Sequence, residues 1–83
     1  MEKIEIAREL VKKLRANTEK SPCIIMVGDK QVTLPSGKSS WKDVASARKA
    51  FTNFLSCRLS YPVNVRVIRE ELEREGLVEF KTF

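Results

Sequence analysis

The run Cys23-Ile24-Ile25-Met26-Val27 is apolar at every position, and after Gly28-Asp29 comes an alternating arm, Lys30-Gln31-Val32-Thr33-Leu34. Gly28 occupies the first central position of a two-residue connection, where a type II′ turn needs positive φ, so the pair reads as a β-hairpin. In that register Ile25 faces Val32 and Cys23 faces Leu34, with Val27 on the same side. Met26 then faces Gln31, and Ile24 faces Thr33, on the other. The second arm needs cover on one face, whereas the first needs it on both. A strand of that kind belongs inside a sheet, its second face covered by another element or by a second subunit.

The remaining apolar periodicities supply the cover. Ile4, Ala7, Leu10, Val11 and Leu14 recur at helical spacing and predict an amphipathic helix over Glu2–Ala16, with glutamates early and basic residues late. Asn17 to Pro22 ends it, since Asn tolerates a left-handed cap and Pro22 forbids continuation. A second helix is expected from Trp41 to about Leu59, with Val44, Phe51, Phe54 and Leu55 inward. Ser60-Tyr61-Pro62 breaks it. A short third helix starts at an Asn64 N-cap, carries Val65, Ile68 and Leu72 inward, and stops at Gly76. Leu77–Phe83 alternates and reads as a closing strand that pairs with the hairpin. The expected architecture is α+β, residues 1–83 forming one domain in the order helix, strand, strand, helix, helix, strand. It has a three-stranded antiparallel sheet with helices packed mainly on one face.

Composition excludes several chemistries. No apolar run approaches the length of about 18 residues that spans a bilayer, and the N-terminal residues lack the features of a signal peptide, so a cytoplasmic location is the expectation. There is no histidine, which removes the commonest general base and the Ser-His and Cys-His nucleophile arrangements. Cys23 and Cys57 fall short of a four-ligand zinc site and read as small buried hydrophobes. No catalytic residue, metal or cofactor is expected.

Gly37-Lys38-Ser39 is how a phosphate-binding loop ends, but such a loop needs a glycine at position 32, which is Val32. Pro35 also removes a backbone N–H from an element whose chemistry is N–H donation. The stretch Leu34–Trp41 reads instead as a strand-to-helix turn, with Ser40 capping the second helix and Asp43 three residues on as in a capping box. A helix N-terminus flanked by Lys38, Ser39, Ser40 and Lys42 is nevertheless a candidate anion site.

The net charge is +5, and it is unevenly spread. Residues 21–63 hold six basic and two acidic groups, whereas residues 64–83 hold four basic and five acidic. A basic middle favours an acidic partner. The expected function is therefore a small, non-catalytic, regulatory binding module that contacts nucleic-acid phosphates. Lys38, Ser39, Ser40, Lys42, Arg48, Lys49 and Asn53 form its candidate site. The alternative is a protein-binding regulatory or inhibitor module, of the kind found in phages and mobile elements. It would act through exposed Ile24 and Met26 or through Trp41 and Tyr61, with a homodimer as one form of that alternative.

The run from Val63 to Val78, a short helix ending in Glu-Gly-Leu-Val before a strand, resembles the close of a winged-helix DNA-binding domain. That resemblance implies a groove-entering helix with Arg66, Arg69 and Arg74 outward. Glu70, Glu71, Glu73 and Glu75 on the same helix oppose phosphate, and intrahelical pairs such as Arg66–Glu70, Arg69–Glu73 and Glu70–Arg74 account for the pattern. The hairpin preceding the second helix also departs from that family's order, so the chain is not assigned to it.

Overall fold

The computed structural model describes residues 2–59 and 64–82. Its elements are α1 (Lys3–Lys12), β1 (Arg15–Ala16), β2 (Cys23–Val27), β3 (Lys30–Thr33), α2 (Val44–Arg58), α3 (Val65–Arg74) and β4 (Val78–Thr82). The expected α+β class with three helices is present. The sheet, however, has four strands in the order β1-β3-β2-β4, all pairs antiparallel, where three were expected.

The doubly apolar arm is central, as its composition demands: β2 lies between β3 and β4. Beside the turn the register is the one the hairpin predicts, with Met26 opposite Gln31 and Val27 opposite Lys30, and Gly28 has φ +61°. At the far end it changes. Cys23 pairs with Trp41 rather than Leu34, through backbone bonds of 3.0 and 3.1 Å. Pro35 and the turn that closes Leu34 N–H onto the Lys38 carbonyl take the second arm away from the sheet. The returning chain fills the vacated edge.

Cys23, Ile25, Val27, Val32 and Val78 face the helices and join Ala7, Val11, Ala47, Phe51, Leu55, Ile68 and Leu72 in one buried cluster. The opposite sheet face carries Ile24, Met26, Gln31 and Thr33. There Asn17 donates to the Thr33 hydroxyl at 2.8 Å, and Gln31 donates to Asn17 Oδ1 and to the Glu19 carbonyl. Ile24 is only 2% exposed, so this chain itself buries it. The expectation that Ile24 is exposed for a protein partner is overturned, and Met26 is half-buried.

The fourth strand arises where the first helix was expected to continue. The apolar spacing runs on to Leu14, which is buried, but the helix stops at Lys12 and tightens through Lys13 N–H to Leu10 O and Leu14 N–H to Val11 O. Two long-range partners outcompete further helix. Arg15 and Ala16 pair with Thr33 and Val32, and Lys30 Nζ donates to the carbonyls of Lys12 (3.2 Å) and Leu14 (2.8 Å). The lysine supplies the positive charge and donors that a helix C-terminus lacks.

The third helix matches its expectation at both ends. Asn64 Oδ1 accepts from Val67 N–H, while Gly76 N–H reaches Glu73 O and Leu77 N–H reaches Leu72 O, the paired bonds of a Schellman stop. Gly76 has φ +75° with open space where a Cβ would stand, so substitution there costs backbone conformation and not packing. Gly76→Ala is expected to lower stability by about 1 kcal/mol, read as a reduced urea midpoint at unchanged m-value. The expected break at Ser60-Tyr61-Pro62, the proposed role of Tyr61 and the end of the last strand at Phe83 lie outside the described residues.

Candidate nucleic-acid interface

The second helix begins later than its apolar stripe suggests, and this reshapes the site. Trp41 gives both backbone groups to Cys23 and is 4% exposed, so it belongs to the sheet edge and not to the helix. The N-cap is Asp43, not Ser40: its carboxylate accepts the Ser46 N–H at 2.7 Å. The acid expected to complete a capping box is thus the cap itself. The end of the helix dipole is already met by the protein's own carboxylate, which corrects the reading of that terminus as an open anion site. The positive charge available there rests on Lys38 and Lys42.

Hydrogen bonding from the Ser46 backbone, then from its hydroxyl, with a further contribution from Lys42, holds the Asp43 carboxyl below its usual range. A depressed carboxyl stabilises the fold above its unfolded pKa, and this contribution is lost as pH falls through the folded value. Asp43→Asn keeps a capping acceptor but removes the titration. Its stability deficit relative to wild type is therefore expected to shrink on acidification, measured by urea unfolding from neutral pH down through the carboxylate range. A deficit that stays constant with pH would contradict this role.

Charges are sorted by face. Every ion pair recorded among the described residues involves α3 or its C-cap Glu75. Arg66 meets Glu70 at 3.2 Å, Arg69 meets Glu73 at 2.5 Å, and Arg74 meets Glu71 in place of the expected Glu70. Arg8 closes on Glu75 and holds that carboxyl below its usual range. The three arginines of the stretch that resembles a winged-helix ending are therefore all paired, and Arg69, expected to face outward, has a side chain only 12% exposed. Arg48 belongs to this face as well. It lies 3.5 Å from Glu73, with its guanidinium 5.9 Å from the Phe80 ring centre, turned away from Lys49.

A second group of basic side chains lies along the end of α1, the Leu34–Trp41 turn and α2. Lys13, Arg15, Lys38, Lys42, Lys49 and Arg58 are exposed and enter none of these ion pairs. Lys38, Ser40 and Lys42 surround one shallow depression with Ser46 and Trp41. Lys49 and Asn53 follow on the solvent face of α2, and Asn53 borders a second depression walled by Pro35 and Phe54.

Of the seven residues proposed from sequence, the structure gathers Lys38, Ser40 and Lys42 in the turn before α2, and it sets Lys49 and Asn53 on α2 itself. Ser39 does not join them: it is 7% exposed, and its hydroxyl donates to the Glu19 carboxylate. Arg48 is drawn to Glu73 instead. Sequence reasoning missed Lys13, Arg15 and Arg58, which line depressions that share Pro35. A signal was present in the basic residues that end each helix, but their meeting at one proline is a tertiary fact.

Cys57, expected to be buried, is exposed on α2, while Cys23 is buried and its thiol pushed up by desolvation. No group of three or more metal-ligating side chains occurs among the described residues, and no described helix is long and apolar enough to cross a membrane. Comparison with protein-family models, with curated proteins and with solved structures finds no match to this chain.

Proposed function

We propose that this protein is a non-catalytic binding module that holds nucleic-acid phosphates on the face formed by the Leu34–Trp41 turn and α2. The observation that supports it is the sorting of charge. The acid-rich α3 face neutralises its own arginines, whereas Lys38, Lys42 and Lys49 stand exposed without an acid in an ion pair. Phosphate contact needs point charges and donors on a rigid support, and a helix with its preceding turn provides both. Arg48 and Ser39, committed to Glu73 and Glu19, are left out of the proposed contact set, and Asn53 stays in it as a neutral donor.

Titration of labelled DNA and RNA at several salt concentrations tests this reading. Binding should weaken steeply with salt, and reversal of Lys38, Lys42 and Lys49 together should abolish it without unfolding. Undiminished binding by the triple variant would remove the proposal.

A further inference from the structure

The three depressions that share Pro35 form one trough between the end of α1, the Leu34–Gly37 turn and the C-terminal half of α2. Its floor is apolar, made by buried Leu34 between walls of Pro35 and Phe54, and its rim is cationic, made by Lys13, Arg15 and Arg58. Among the described residues no acidic side chain lines any of the three. The largest encloses about 500 Å³, within the range of small-ligand clefts.

We propose that this trough takes a single strand of nucleic acid, with an unpaired base against Phe54 and Pro35 and the flanking phosphates on Lys13, Arg15 and Arg58. The inference rests on the phosphate-binding reading above and adds the class of nucleic acid. A duplex hides its bases and offers phosphates, for which an apolar floor has no use. A single strand brings flat apolar faces and regularly spaced negative charge together, which is the combination of floor and rim found here. Phe54 is half-buried and rests against the Phe51 ring, with centroids 5.8 Å apart, so one part of it is anchored in the core while another borders the trough. Such a ring is a stacking platform already held in place.

The experiment is fluorescence anisotropy with an oligothymidylate of about 12 nucleotides and a duplex of the same length. Wild type should bind the single strand more tightly. Lys13→Glu with Arg58→Glu, both exposed and outside the ion pairs recorded among the described residues, should weaken single-strand binding about tenfold or more and duplex binding far less. Phe54→Leu, checked for folding by circular dichroism, should weaken single-strand binding about fivefold through lost stacking.

Equal affinity for both nucleic acids, or single-strand binding untouched by the Lys13/Arg58 variant, overturns the trough assignment. If the Lys38/Lys42/Lys49 reversal still abolishes binding in that case, the phosphate reading survives alone. Failure of wild type to bind either nucleic acid removes both. Preferential binding of an acidic, leucine-rich peptide, sensitive to Phe54→Leu, also overturns the assignment and gives the trough to a protein partner.

Discussion

Phe51→Ala is expected to lower the stability of the protein by about 3–5 kcal/mol, a quarter or more of the total. Phe51 is the largest fully buried side chain among the described residues, placed in mid-α2 against the sheet. Its ring lies 5.8 Å from the centre of Phe54 and 5.8 Å from Phe80 on β4, the latter edge-on. Truncation removes the transfer energy of the ring and leaves a cavity between two layers that meet in a single cluster, at a cost of about 3–5 kcal/mol. A chain of 83 residues carries only about 4–12 kcal/mol of total stability at the usual per-residue scale. Urea unfolding followed by circular dichroism measures the loss, and Phe51→Leu should recover part of it. A cost below about 1 kcal/mol would mean that helix and sheet do not depend on this contact.

The second large effect concerns the proposed interface. Each lysine reversed to glutamate changes the charge by two, so reversal of Lys38, Lys42 and Lys49 takes the net charge from +5 to −1. If each lysine holds one phosphate, the dependence of log affinity on log salt should become shallower by about 2 to 3, and affinity at low salt should fall on the order of 100-fold. All three side chains are exposed and outside the recorded ion pairs, so the unfolding midpoint should move little. The control is reversal of arginines on α3, where Arg66 and Arg74 are already matched by Glu70 and Glu71. Changing those two should leave the salt slope where it was. A slope unchanged by the lysines, or changed equally by the arginines, would place binding elsewhere or nowhere.

Much of the fold is legible in the residue order because its signals are local. The turn at Gly28, the start of the third helix at Asn64 and its stop at Gly76, and the pairing of the last strand with the hairpin are each encoded within a few residues, and each is realised. What misled was competition between a local signal and a distant partner. The periodicity ending at Leu14 is as good as that of its own helix, yet backbone pairing with Thr33 and the Lys30 ammonium at the carbonyls end the helix early. Trp41 suits a first helical turn, but Cys23 had an unpaired sheet edge.

The candidate site divides the same way. Lys38, Lys42 and Lys49 could be proposed from spacing along one turn and one helix, because helix geometry maps sequence onto a face. Arg48 sits beside Lys49 in sequence but a helix flank away in space, where Glu73 claims it. Ser39 has the right chemistry next to Lys38, but Glu19 takes its hydroxyl.

The amino-acid order by itself determined the hairpin, the three helices, the α+β class and the basic middle of the chain, since each follows from periodicity, turn chemistry or charge read locally. Only the tertiary structure decided that Arg15–Ala16 becomes a strand, that Ile24 is covered, and which arginines of α1, α2 and α3 meet glutamates. It alone brought Lys13, Arg15 and Arg58 around Pro35 and Phe54. The physical reason is that hydrogen bonds and ion pairs across the fold are chosen by distance in space: α3 uses its glutamates on arginines beside it, while the carboxylates near the lysines, Glu19 and Asp43, are engaged by Ser39 and Ser46.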